Sequence, residues 1–226
     1  MTKNQEFTPA LGHAVLTPFY DAAIALLTRE GRWRERLLRQ VAPMPDEVIL
    51  DVGCGTGTFA LMLKRAAPKA IVSGLDPDTA VLKRAEEKAR RANREILFVQ
   101  GFARDAAGTG ARRLNKAVSS LVFHQIPMAE KRLGLKAMHD ALIANGEVHI
   151  ADYGLQRTRL MRTLFRQVQR LDGFENTTPN AEGILPSLMR EAGFDDVEER
   201  AVVPTPTGSI SIYFARRPLT GSGRAP

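Results

Sequence analysis

The stretch that most constrains the fold is Val48-Ile49-Leu50-Asp51-Val52-Gly53-Cys54-Gly55-Thr56-Gly57. A short apolar run rich in β-branched residues ends at an acid, and three glycines then alternate with small side chains. Thr58-Phe59-Ala60-Leu61-Met62-Leu63-Lys64-Arg65 follows and reads as the opening of a helix. Buried strand, glycine turn and helix together are the first unit of a nucleotide-binding α/β domain. Glycine tolerates positive φ and lets a ligand approach the backbone. The helix start behind the turn offers N–H groups that have no partner within the helix.

The same alternation continues downstream. Strands are expected at Val48–Val52, Ala70–Leu75, Ile96–Val99, Lys116–Leu121 and Glu147–Ala151, with helices over Thr58–Ala67, Thr79–Asn93 and Ala129–Ile143. A βαβαβ rhythm of this kind predicts a doubly wound parallel sheet covered on both faces. The end of the chain breaks the rhythm. Val197–Val203 and Ser209–Ala215 are joined by Pro204-Thr205-Pro206-Thr207-Gly208, too short for a crossover helix, so those two strands must pair antiparallel. Upstream, Ala10–Thr28 (interrupted at Pro18) and Trp33–Val41 read as helices with no strand between them. The expected organisation is an N-terminal helical cap over residues 1–45, a core over 46–217 with an insertion at 154–180, and a mobile Gly/Ser/Pro tail over 218–226.

Composition narrows the setting. Cys54 is the single cysteine in 226 residues, which excludes an intramolecular disulfide and fits the reducing cytoplasm. The first residues lack the apolar segment of a leader, and no stretch approaches the ~18 apolar residues of a spanning helix. The net charge of +7 comes from basic residues scattered along the chain, so a solvated surface is expected and no nucleic-acid partner is assigned.

Two cofactor readings compete at the glycine turn. Gly55-Thr56-Gly57-Thr58-Phe59-Ala60 satisfies a G-x-G-x-x-A dinucleotide pattern, and Asp76 follows Gly57 by 19 residues, at the end of the next strand. An acid there accepts from ribose hydroxyls whichever nucleotide is bound. Asp51 weighs between the readings. An anion beside the turn opposes a pyrophosphate and suits a ligand carrying an ammonium and a sulfonium.

On these residues the sequence resembles the class I S-adenosylmethionine-dependent methyltransferases. Leu50–Gly57 looks like their first motif, Gly74-Leu75-Asp76-Pro77 like the acid-bearing end of their second strand, and Asn145–Tyr153 like their turn into the fifth strand. Phe19-Tyr20-Asp21 and Ser119–His124 are similar to the small-molecule branch that includes the ubiquinone and menaquinone biosynthesis methyltransferases. The resemblance implies a seven-stranded sheet of order 3-2-1-4-5-7-6, the last strand antiparallel, with an N-terminal helical extension and a lid after strand 5. It also implies S-adenosylmethionine as cofactor. Gly53, Cys54, Gly55 and Gly57 would carry its methionine part, Asp51 would meet its amino group and Thr56 its carboxylate. Asp76 and Pro77 would lie at the ribose, Phe102 and Ala103 at the adenine, and Ser120 on the far side of the cleft. Two departures stand out. Phe102 replaces the acid or amide that usually accepts from the adenine amino group, and Asn115 replaces the usual acid before the fourth strand. Adenine would then be read by the Ala103 amide, by packing on Phe102 or by Asp105.

The implied reaction is methyl transfer to a small, apolar molecule by in-line displacement, with no metal. An NAD(P)-dependent oxidoreductase and a non-catalytic binding protein of the same fold are the alternatives. His124, after the fourth strand, is the candidate base, and Tyr20 in the cap is a second catalytic candidate. Asp152 and Tyr153 end the fifth strand at the edge where ligands bind, and His13 lies in the cap. His149 alternates with Val148 and Ile150 inside a strand and reads as structural. Arg157–Leu171 places an apolar stripe against five arginines, a pattern suited to a lid over the pocket or to peripheral contact with an anionic membrane.

Overall fold

Period-2 alternation sorts the first strand into two faces, and the rest of the molecule follows from that sorting. The computed structural model describes residues 30–109 and 113–219. In β1 (Val48–Val52), Leu50 and Val52 join one core while Ile49 joins the other, so Asp51 shares the side of Ile49. The strands β2 (Ile71–Asp76), β3 (Leu97–Gln100), β4 (Leu114–Ser120), β5 (Leu142–Tyr153), β6 (Asp195–Thr205) and β7 (Gly208–Arg216) complete one sheet in the order β3-β2-β1-β4-β5-β7-β6. Pairing is parallel through β5, and β7 runs antiparallel to both β5 and β6. That is the architecture the resemblance implies.

One face is covered by α4 (Met128–Ala141) and α7 (Leu185–Glu191), through Leu135, Met138, Leu188 and Met189. On the other lie α1 (Glu30–Val41), α2 (Thr58–Ala66) and α5 (Arg159–Asp172). Helix α1 buries Trp33, Leu37 and Val41 at four-residue spacing, which turns one stripe onto the sheet. Helix α3 (Thr79–Arg91) begins where the Asp78 carboxylate accepts from the Ala80 and Val81 amides. Helix α6 (Phe174–Ala181) follows α5 after Gly173, whose φ of 86° ends the helix.

Several boundaries differ from expectation for local reasons. β4 stops at Ser120 because Leu121 takes φ of 57°. β5 begins five residues early at Leu142, crosses an irregular step opposite Leu114 and Lys116, and continues to Tyr153. The expected five-residue turn is a two-residue one at Pro206-Thr207. β6 is an edge strand, so Pro204 sits in it opposite Ser209 without breaking a shared ladder. Helix α5 starts at Arg159 because the Thr158 hydroxyl accepts from the Met161 amide at 3.1 Å. The helix expected over Ala10–Thr28, with His13 and Tyr20, lies outside the described residues, as does the tail beyond Leu219.

Candidate active site

The parallel strands deliver Asp51, Asp76 and Ser120 to one carboxyl edge, the usual ligand edge of a doubly wound sheet. Gly53, Gly55 and Gly57 all take positive φ there, between 51° and 71°. The first and second of them do different work. A Cβ on Gly53 would lie 2.1 Å from Val122, whereas one on Gly55 would meet nothing within 4 Å. Gly55 therefore faces open space, and its backbone is the approachable part of the turn. Gly53→Ala is expected to lower the melting temperature clearly, through collision and strain together. Gly55→Ala carries only the strain, about 1–2 kcal/mol. Equal destabilisation of the two variants would contradict this division.

Asp51 is fully buried, and neither carboxylate oxygen makes a hydrogen bond of good geometry. Burial pushes its pKa up to about 7; the charge of the Arg34 guanidinium and a weak contact from the Ala60 amide oppose that without cancelling it. Such a group is costly unless something charged arrives to satisfy it. Asp76 is held differently. Its two oxygens accept from the Gly55 amide at 2.9 Å and the Asp78 amide at 3.0 Å, which fixes the carboxylate against the turn with lone pairs to spare. Burial raises its pKa as well. Cys54 packs inward, its thiol 2.7 Å from where a Cβ on Gly74 would stand, and burial pushes that thiol up. Thr56 and Thr58 accept from Lys88 at 2.9 and 2.7 Å.

At the β3 end, Phe102 lies under the Arg104 guanidinium at 4.5 Å, and Arg104 pairs with Glu130 at 2.6 Å. Asp105 turns back, accepting from the Phe102 amide at 2.8 Å, so its carboxylate is committed to the short 3-10 turn of Ala103–Gly108. Asn115 accepts from the Val48 amide at 2.9 Å and is a strand-to-strand tie.

Beyond β4 a second polar cluster is entirely internal. His124 sets Nδ1 2.8 Å from Asp152 and Nε2 3.3 Å from Asp172 at the end of α5. Burial would lower its pKa, but the two carboxylates outweigh burial and raise it to about 9. Asp152 also accepts from the Phe123 amide at 2.6 Å and the Tyr153 amide at 2.7 Å. Lys131, fully buried, donates to the carbonyls of Phe123 and Asn176, and burial lowers its pKa to about 8. The acids sit on opposite sides of one imidazole and share no point for a cation; among the described residues no metal-holding group occurs.

A cavity of about 340 Å³ opens at the other end of the strands, lined by Val48, Ile71, Leu97 and Leu114. It is far along β1 from Asp51, and the buried carboxylate, not the cavity, locates the site.

Comparison with known proteins agrees with this geometry. A family model described as a methyltransferase domain matches residues 49–146. The chain is 37% identical to a demethylmenaquinone methyltransferase of Thermus thermophilus over 39% of this chain and 41% of that protein. It is 23% identical to a ubiquinone/menaquinone biosynthesis C-methyltransferase of Syntrophotalea carbinolica, over 91% of this chain and 92% of the relative. The chain thus spans less than half of the Thermus relative and most of the Syntrophotalea one. Magnesium protoporphyrin IX methyltransferase of Synechocystis, solved with bound S-adenosylhomocysteine, shares the fold at a TM-score of 0.66 and 15% identity, covering 83% of each chain.

Residues 49–146 match a methyltransferase domain, and the chain is similar to S-adenosylmethionine-dependent methyltransferases of this fold.

The residues present fit that family's cofactor at three points: an unpartnered buried anion, an open glycine turn and a backbone-anchored acid on the next strand. The methyltransferase core brings together Asp51, the glycine turn, Asp76 and Pro77, with Ser120 on the neighbouring strand β4. It places Phe102 and Ala103 after β3. It does not bring His124 into the open, because both ring nitrogens are engaged and the ring is buried; a protonated imidazole has no lone pair with which to accept a proton. Tyr153 turns away too, its ring beside Phe165 and its hydroxyl 2.8 Å from Thr207. His149 is buried between Gln40 and Glu147, a structural position. Two residues that sequence reasoning passed over now matter. Asp172 carried no signal, and Arg34 was one arginine among several on a short helix.

Proposed function

We propose that the protein transfers a methyl group from S-adenosylmethionine to a small, apolar acceptor. The observation that carries this reading is Asp51, a buried carboxylate without a partner beside an open glycine turn, which suits an ammonium and disfavours a pyrophosphate. The cofactor, when bound, supplies an already activated methyl on its sulfonium. The chain's own part is positioning and exclusion of water. Asp76 would accept from the ribose hydroxyls, the Gly55 backbone would lie along the methionine part, and Ser120 would close the far side. Phe102, held by Arg104, would offer the adenine a flat apolar surface in place of a hydrogen bond.

His124 stays in the proposal as a positioning group, not as the base. Tyr20 remains a candidate to be tested by substitution. The acceptor side is read from the insertion, where Leu155, Leu160, Leu171 and Phe174 are exposed among arginines. These residues support an apolar acceptor, and also the second use of Arg157–Leu171, contact with an anionic membrane; sedimentation with phosphatidylglycerol vesicles tests the latter. Among the described residues no helix is long and apolar enough to cross a membrane. A cytoplasmic setting rests on the buried free thiol of Cys54.

Calorimetry against S-adenosylmethionine, S-adenosylhomocysteine and NADH tests the cofactor. Saturable heat with NADH alone would sink the proposal in favour of an oxidoreductase, and silence with all three would favour a non-catalytic protein. Labelled methyl donor with cell extract then identifies the product. Asp76→Ala is expected to weaken S-adenosylhomocysteine by ~1–3 kcal/mol, as donors lose their acceptor; unchanged affinity would remove the ribose assignment.

A further inference from the structure

Helix α1 lies outside the segment matched to the methyltransferase domain, yet it reaches the site. Because Asp51 shares the β1 face that α1 and α2 cover, residues on the inner edge of α1 are its neighbours. Arg34 stands there next to the fully buried Trp33, its guanidinium 5.2 Å from the indole ring. Its Nη2 pairs with Glu30 one turn back, but Nε and Nη1 are buried and have no partner. Asp51 and Arg34 attract each other electrostatically, without a hydrogen bond between them.

A buried acid and a buried guanidinium would satisfy one another if the site were meant to be closed. Here each keeps open valences on a shared side of the sheet: two carboxylate oxygens without donors and two guanidinium nitrogens without acceptors. The group that complements both at once is an α-amino acid head, with an ammonium for the anion and a carboxylate for the cation. Thr56, the other residue expected at the carboxylate, accepts from Lys88 and so keeps its hydroxyl proton to donate to the same carboxylate.

We propose that Arg34 is the receptor for the carboxylate of the cofactor's methionine head, and that Arg34 and Asp51 form a paired-charge site for the zwitterion. The proposal rests on the S-adenosylmethionine reading above and adds a specificity residue to it. It makes the amino acid head, and not adenine, the dominant source of affinity, which fits a chain whose adenine end carries Phe102.

The test is calorimetric binding of two ligands to the full chain. S-adenosylhomocysteine carries the head, whereas 5′-methylthioadenosine keeps adenosine and thioether without it. Arg34→Met is expected to weaken S-adenosylhomocysteine about 10–100-fold, the usual consequence of losing a charged hydrogen-bond partner, and to leave 5′-methylthioadenosine within about twofold. Arg34→Lys should recover part of the loss, since it restores the charge without the guanidinium shape. Retained 5′-methylthioadenosine binding also shows that the variant is folded. Equal weakening of both ligands, or S-adenosylhomocysteine binding unchanged in Arg34→Met, would overturn the assignment while leaving the cofactor reading intact. If the wild-type protein binds neither ligand, the cofactor reading itself falls and Arg34 with it.

Discussion

Asp51→Asn is expected to abolish measurable S-adenosylhomocysteine binding while making the ligand-free protein more stable. Both effects come from one carboxylate. Its ordinary pKa is 3.8, and burial raises it to about 7 in the folded chain. Between those two values the native state holds more protons than the unfolded state, so stability falls as pH rises from about 4 to about 7. Above that window the folded protein carries a desolvated anion without a hydrogen bond of good geometry. The amide removes the charge. Allowing for its own unmet hydrogen bonds, a gain of about 1–3 kcal/mol is expected at pH 8, or a rise in Tm of roughly 3–10 °C. At pH 4 the wild-type acid is largely neutral and the gain should nearly vanish. Binding runs the opposite way. The ammonium needs the anion, so wild-type affinity should tighten as pH rises through about 7, and the variant should lose that dependence. Thermal melts at pH 4 and pH 8 with calorimetry at pH 6 and pH 8 decide it. A melting temperature lowered at pH 8, or an affinity equal to wild type, would mean that Asp51 is satisfied by the protein and is not a ligand site.

What could be read from the residues alone follows the range of the forces involved. The β1–glycine–α2 unit was legible because period-2 burial, three glycines and a helix start all lie within a dozen positions. The same periodicity puts Asp51 on the face of Ile49. The closing hairpin was legible because no helix fits between β6 and β7. The neighbours of Asp51 were not. Arg34 lies 17 positions upstream, on a helix that also carries Arg32, Arg36 and Arg39, and only the fold singles it out. The helix expected as a lid divides its apolar stripe: Phe165 and Val168 enter the core under β7, while Leu160 and Leu171 stay exposed. Periodicity shows that such a stripe exists, but the angle at which the helix docks decides which part of it is covered. His124 illustrates the same limit. Its position after β4 suggested a base, and nothing near it in sequence announced the acids at Asp152 and Asp172.

Those acids lead to the second large expected effect, on stability. His124→Gln should lower the stability of the protein by about 3–5 kcal/mol near neutral pH, because it removes the positive charge that bridges two carboxylates, one of them fully buried. In wild type the folded pKa of His124 is raised from 6.5 to about 9, with Asp152 and Asp172 overcoming the opposing effect of burial. A raised histidine contributes its stability fully below about 6.5 and loses it as pH climbs through about 9. The gap between wild type and variant should therefore be widest at pH 6 and should narrow by pH 9.5. Lys131 faces the same cluster through the Phe123 carbonyl and, with its pKa lowered to about 8, titrates in an overlapping range. Repeating the denaturation series on a Lys131→Met background separates the two. The cluster ties the β4 loop to the α5–α6 insertion, since Asp172 ends α5 and Asn176 in α6 both accepts from Lys131 and donates to the Gln125 carbonyl at 3.0 Å. Loss of His124 should thus loosen the insertion first, seen as faster amide exchange over Arg159–Ala181 before any change in the sheet. A variant that melts like wild type and loses only turnover would restore His124 as the base and remove its assignment as an anchor.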